Sequence, residues 1–176
     1  EGLIPAAYAT SAVRDAANSA EFIRRIMQKT GVAVDVISGD DEARYALLGA
    51  GCADGGLVDI GGGSSQLVTS DWRASFPMGC VRAADICSGA PALQAMRASL
   101  EARCNMIYRF PRMLIPRWTG VGGTITTLAA LSAGLSEYDG EAVRRVVLTQ
   151  DSVTALTRSL YEAGDEARAR MPLLCD

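Results

Sequence analysis

The stretch LVDIGGGSSQLV, residues 57 to 68, sets three consecutive glycines between two apolar runs and follows them with two serines. Two β-prone runs so closely spaced predict a strand over 57–60, a turn, and a strand over 65–69. A two-residue hairpin loop needs one or two glycines at most. Glycine is required where φ is positive or where another atom must come close to the backbone. Three together, with Ser64 and Ser65 beside them, suit a nest of N–H groups around an anion; a hairpin tip with no ligand is the alternative on this stretch alone. A second cluster, Gly120-Val121-Gly122-Gly123-Thr124, tips the balance toward the anion. There a strand feeds a helix, whose first amides and positive dipole end face outward. Two such turns in one domain predict a polyphosphate chain held at two points. Neither matches G-x-x-x-x-G-K-S/T or G-x-G-x-x-G.

Charge decides how such an anion is held. The 176 residues carry a net charge of -3 and are 49% apolar and 21% charged, with a pI near 5.0. A general binder of nucleic acid needs basic surface, so any phosphate must be gripped locally. No apolar run reaches bilayer length, and EGLIPAAYATSAVRD lacks the basic-then-apolar pattern of a secretion signal, so a soluble cytoplasmic protein with no membrane partner is expected. Five cysteines at irregular spacing, Cys52, Cys80, Cys87, Cys104 and Cys175, form no C-x-x-C pair and read as reduced, mostly buried apolar residues. The chain has no histidine. That excludes Ser-His-Asp and Cys-His catalysis and makes a carboxylate the first expectation for the general base of a proton-moving reaction.

Along the chain, AAYAT at 6–10 predicts a buried strand, and Asn18 is placed to cap a helix carrying Phe22, Ile23 and Ile26 and stopped by Gly31. VAVDVI at 32–37 predicts a strand, and Ser38-Gly39-Asp40-Asp41 opens a helix with Glu42 in its first turn. Strand, helix, strand, helix favours a parallel or mixed α/β sheet. GAGCADGG, 49–56, reads as a hinge between two lobes. Strands over 57–60, 65–69 and 72–78 predict a three-stranded meander. A long helix is expected over 92–108, then a strand into the second glycine turn, an apolar helix over TITTLAALSAG, and helices over 146–161 and 162–171.

Two carboxylates stand out. Asp59 closes an apolar strand two residues before Gly61, where an unpaired charge is costly to bury. Magnesium with bridging waters would account for it, as would a carboxylate capping the turn amides. Glu42, taken by its own stretch, is a helix-start glutamate favoured by the macrodipole.

With these residues assembled, the chain resembles the exopolyphosphatase/guanosine pentaphosphate phosphatase (Ppx/GppA) family of the sugar kinase, heat-shock-70 and actin superfamily. The matching stretches are ATSAVRDA at 9–16, VISGDDEARYALLG at 36–49, LVDIGGGSSQLV at 57–68, FPMGCVR at 76–82 and GVGGTITTLAAL at 120–131. The resemblance implies an α/β, ribonuclease H-like (actin-like ATPase) two-lobe architecture, present as a partial chain. Residues 1–50 would be the second half of lobe one, without its D-x-G-S loop, and 56–176 would be lobe two without its last strand and helix. It implies Glu42 as the base that activates water and Asp59 at a magnesium ion. Gly61, Gly62, Gly63 and Ser64 would form the central phosphate loop, with Arg14 reaching the phosphate from lobe one and Gly122, Gly123 and Thr124 lining the far side. The implied activity is removal of terminal phosphate from inorganic polyphosphate or guanosine pentaphosphate (pppGpp). A non-hydrolytic nucleotide-binding module of the same superfamily is the alternative, and an empty scaffold the third. Family members commonly dimerise through further carboxy-terminal domains, which leaves a homodimer open.

Overall fold

In the computed structural model, which describes residues 5–51, 55–87, 94–95, 97–98, 100 and 117–174, the elements begin with a short parallel pair. Strand β1, Ala7–Ala9, lies beside β2, Val34–Val36, in register Ala7 to Val34. Between them run helices α1, Ser11–Arg14, and α2, Ser19–Thr30. Gly31 ends α2 in the left-handed region at φ 71°, the conformation a glycine C-cap supplies. Asn18 occupies the N-cap position but its side chain makes no capping bond.

Helix α3, Gly39–Ala50, starts where the sequence says: the Ser38 hydroxyl accepts from the Asp41 amide at 3.1 Å. It continues through Gly49 and stops at Gly51, φ 62°, so the hinge expected over 49–56 is shorter. The reason is packing. Ala43, Ala46, Leu47 and Ala50 form one apolar stripe, and that stripe rests on Leu57 and Val68 of the next sheet, so the last turn of the helix is held by burial.

That sheet holds four strands in the order β5-β4-β3-β6. β3 (Gly56–Ile60), β4 (Ser65–Val68) and β5 (Arg73–Phe76) form the predicted antiparallel meander. β6, Trp118–Val121, joins β3 in parallel, pairing Val121 with Asp59. Period-2 alternation along β4 buries Gln66 and Val68 together on the α3 face. Leu57, Ala43 and Val68 are the centre of this core, each at most 2% exposed.

Helix α4, Cys80–Cys87, follows β5, and α5, Gly123–Ser132, follows β6. A short α6, Gly140–Val143, packs Val143 against Ala129 and Ala130 of α5 in a second core. Helix α7, Gln150–Arg168, opens with a capping box between Thr149 and Ser152. It is two helices end to end, as expected over 146–161 and 162–171, but the break falls at Gly164, φ 73°, and Val146 packs under α5 ahead of the first. Residues 94, 95, 97, 98 and 100 are helical, and the rest of the helix expected over 92–108 lies outside the described residues. Cys80 is exposed at the start of α4, against the expectation of buried cysteines, and Cys87 is half-buried. Cys52, Cys104 and Cys175 lie outside the described residues. No helix among the described residues is long and apolar enough to cross a membrane.

Candidate active site

Parallel pairing of β3 with β6 sets the two glycine turns side by side at the same end of the sheet. Gly61, Gly62, Gly123 and Thr124 share the wall of one cleft of about 430 Å³ with Ile60, Cys80 and a row of leucines that includes Leu128 and Leu131. The turns bring different donors. In the first, the Gly61 amide closes the hairpin on the Ser64 carbonyl at 3.0 Å, while the amides of Gly62, Gly63 and Ser64 have no protein acceptor among the described residues. In the second, the first helical bond of α5 is Thr126 N–H to the Gly122 carbonyl at 3.1 Å. The amides of Gly123, Thr124 and Ile125 precede it and are the orphan donors every helix start presents.

The reason for glycine differs too. None of Gly61, Gly62 and Gly63 has positive φ. Gly63 is needed because a Cβ there would collide with the Ser11 hydroxyl of α1. Gly122 has φ 86° and ψ 156°, a region almost exclusive to glycine, and a Cβ there would strike the Asp59 carboxylate and crowd the Ile60 carbonyl. Gly79 of FPMGCVR lies on the Gly61–Gly62 backbone with no room for a Cβ. That approach lets the first amides of α4 bond the loop carbonyls: Cys80 to Gly61 at 2.9 Å and Val81 to Gly62 at 3.0 Å. With its carbonyls held, the loop is left to present amides on the other side.

Of the two serines, only the Ser64 amide joins this surface. The Ser64 hydroxyl, in a residue 4% exposed, accepts from Gln66 Nε2 at 2.9 Å. The Ser65 hydroxyl donates to the Met78 carbonyl. Gln66 also reaches Ser75 Oγ at 3.4 Å, and Ser75 lies against Gly39 at the start of α3. A buried glutamine thus ties the glycine loop to the helix that carries Glu42.

Glu42 projects from the first turn of α3 into a space shared with Arg14 and Asp59. Burial raises its pKa above the ordinary glutamate range, the Arg14 guanidinium opposes the rise, and the charges of Asp59 and Asp15 add to it. Arg14 Nη1 lies 3.5 Å from Glu42 Oε2, at the limit of hydrogen-bond reach, while it donates to the Ile37 carbonyl at 2.8 Å. Glu42 Oε2 and Ser11 Oγ are the buried side-chain oxygens without a hydrogen-bond partner among the described residues. Such atoms cost stability unless a ligand or water meets them. Asp59, on β3 between Gln66 and Val121, also has its pKa raised by burial.

The structure therefore places Arg14, Glu42 and Asp59 around one space and Gly61, Gly62, Gly123 and Thr124 along one cleft, with Asp59 against Gly122; Gly63, Ser64 and Gly122 do not line that cleft. The sequence reading missed Ser11, Gly79 and Gln66. It also placed Arg14 alone among the arginines at the phosphate, although Arg82 lies beside Gly63 and pairs with Asp15. Gly79 and Arg82 stand in a stretch already singled out, FPMGCVR, but spacing says nothing about what that stretch touches.

Comparison with known proteins identifies the family and the fold. The model of the Ppx/GppA phosphatase family matches residues 6–176. Exopolyphosphatase 2 of Mycobacterium tuberculosis is 33% identical over 156 residues, covering 77% of this chain and 49% of the relative. The chain thus spans about half the length of the curated relatives it matches. The crystal structure of an exopolyphosphatase-like protein superposes with a TM-score of 0.77 at 30% identity, covering 88% of this chain and 55% of the other. The Aquifex aeolicus PPX-GPPA enzyme superposes at 0.75 with 29% identity, covering 96% and 60%. The two-lobe actin-like fold, present as a partial chain, is the one these neighbours share. A chain that matches the family model over nearly its whole length, with both glycine turns at one sheet end, belongs to the Ppx/GppA phosphatase family.

Proposed function

We propose that this protein hydrolyses the terminal phosphoanhydride bond of a polyphosphate chain, with inorganic polyphosphate or pppGpp as substrate. The observation that carries this reading is the Glu42 carboxylate: desolvated, raised in pKa, with a buried oxygen lacking a hydrogen-bond partner among the described residues, and electrostatically coupled to Arg14 and to Asp59, the residue two before the first glycine turn. A terminal phosphoryl group needs donors on its equatorial oxygens, which the amides of Gly62, Gly63 and Ser64 supply from one turn and those of Gly123 and Thr124 from the other. Arg14 adds positive charge beside the base. Glu42 takes a proton from the attacking water as its oxygen bonds to the terminal phosphorus. The bridging P–O bond breaks, its electrons stay on the shortened chain, and orthophosphate leaves.

Magnesium fits this site as a water-rich ion. Among the described residues no three His, Cys, Asp or Glu side chains converge into a ready cage, but Mg²⁺ commonly takes one or two carboxylates with the rest of its shell from water and phosphate. Asp59, whose buried charge lacks compensation, would hold it, and the ion would neutralise charge on the phosphate chain. Two desolvated carboxylates facing each other are the chemistry a divalent cation relieves.

One observation favours the non-hydrolytic nucleotide-binding alternative. The cleft runs from the amides onto Leu128, Leu131 and Leu160, a surface for a ring rather than for a bare phosphate chain. The test is phosphate release from polyphosphate and from pppGpp with magnesium, comparing wild type and Glu42→Gln. Removal of a general base lowers turnover by about 10²- to 10⁴-fold. Equal rates would remove Glu42 as the base, and binding without release from either substrate would establish the nucleotide-binding module.

A further inference from the structure

Arg82 and Asp15 form an ion pair between α4 and the end of α1, 67 residues apart in the chain. Its surroundings give it a purpose. The Arg82 Nε lies 3.8 Å from the point a Gly63 Cβ would occupy, so the guanidinium flanks the loop whose amides are unpaired. The backbone of α4 is bonded to that loop through Cys80, Val81 and Arg82, whose amides donate to Gly61 and Gly62. Arg82 is therefore held in fixed register with the loop donors. From the other side, Arg14 Nε lies 3.8 Å from the same Asp15 carboxylate. Two guanidiniums share one carboxylate at the edge of the loop. Both members of the Arg82–Asp15 pair reach water, with side chains 36% and 41% exposed, so the pair is weak and exchangeable.

We propose that Arg82 is a second phosphate-binding arginine that trades Asp15 for a phosphoryl oxygen when substrate enters, with Asp15 as the competing intramolecular anion. This rests on the reading of the cleft as a polyphosphate site. A phosphoryl group on the Gly63 amide would lie beside the guanidinium and offer more negative charge than one carboxylate. Asp15 then lowers affinity for any anion by occupying Arg82 in the empty site, and it gives selectivity against singly charged ligands.

The two residues of a purely structural tie fail together, whereas a competitor and a ligand-binding residue act with opposite sign. The experiment titrates inorganic tripolyphosphate into the full chain in four forms. All carry Glu42→Gln so that turnover does not consume the probe: that change alone, with Arg82→Gln, with Asp15→Asn, and with both. Losing a charged hydrogen bond weakens affinity by about tenfold or more, so Arg82→Gln is expected to raise Kd by that factor. Asp15→Asn is expected to lower Kd several-fold, and that gain vanishes once Arg82 is glutamine. Equal losses in the two single variants overturn the proposal, because they mark a structural tie. A gain from Asp15→Asn that persists without Arg82 also overturns it, because the carboxylate then acts only through its general field. Tripolyphosphate binding that is unchanged in Arg82→Gln removes Arg82 and leaves the polyphosphate site standing; no binding in the parent form removes both. Arg82→Lys, with a smaller loss of affinity, is the variant read should the neutral one not fold.

Discussion

The two glycine turns lie at one end of one sheet and face one cleft, yet they are glycine-rich for different reasons. The β3–β4 turn is conformationally ordinary, and its glycine requirement is imposed from outside, by Ser11 against Gly63, while Gly79 must itself be glycine to lie on the Gly61–Gly62 backbone. The β6–α5 turn carries its requirement within its own backbone, at Gly122 with φ 86°. A run of glycines read from sequence therefore says that space or conformation is special, without saying which. The first kind of requirement can be relieved by changing the neighbour; the second cannot.

That contrast is open to direct attack. Gly122→Ala is expected to be the most damaging change, because a side chain in that region costs about 1–3 kcal/mol and the clash with Asp59 and Ile60 adds about 1–3 more. Denaturant unfolding should show the loss, and shortening Asp59 should recover only part of it. Gly63→Ala comes next, at about 1–3 kcal/mol of overpacking. Here Ser11→Ala in the same chain should restore most of the loss, since the colliding atom is the Ser11 hydroxyl. Failure of that rescue would mean the turn has a conformational requirement after all.

A smaller effect, of opposite sign, is expected at Asp59. Its folded pKa is raised by burial, so the folded state holds its proton more tightly than the unfolded chain does. The sign follows from linkage: stability is greatest below the unfolded pKa and falls as pH rises through the folded one. Asp59→Asn should raise the Tm of the ligand-free protein at neutral pH, and the advantage should disappear in acid. Melting curves across about pH 3 to 8, the range around carboxylate titration, decide it. Magnesium, if held by Asp59, should raise the Tm of wild type and not of the variant. Smallest of all is Gly123→Ala. Nothing lies within 4 Å of a Cβ there and φ is not positive, so the change should be neutral or stabilise by about 0.5 kcal/mol through a lower unfolded-state entropy. A large loss at Gly123 would show that close approach, not only Gly122, shapes this turn.

Much of this architecture was legible in the residues. The meander, the parallel pair, the Ser38 cap and the Gly31 stop each follow from local periodicity or from a cap whose chemistry acts within four residues. The misread hinge over 49–56 and the misplaced break in the last helix have one cause. Small residues, Ala50 among them, look like linker until a neighbouring surface buries them, and a glycine inside a helix breaks it only where its own φ departs, as at Gly164. Of the candidate site, Asp59 and both turns were visible as residues out of place for their setting, whereas Glu42 is an ordinary helix-start glutamate on its own stretch and stands out only through the family resemblance. Ser11, Gln66 and Arg82 were not, because a serine in a short helix, a glutamine in a strand and an arginine at a helix start are ordinary wherever they stand.

By itself the sequence determined which segments are strands and helices and where clustered glycines mark a special stretch of backbone, and it made a carboxylate the first candidate for a general base. These are properties of residue type and of spacing over a few residues. Only the tertiary structure decided that Glu42, Arg14 and Asp59 share one space, that Gly63 answers to Ser11, and that Arg82 reaches across to Asp15. Burial and charge coupling depend on which distant surfaces meet, and that is settled by packing α3 on the sheet and β6 beside β3.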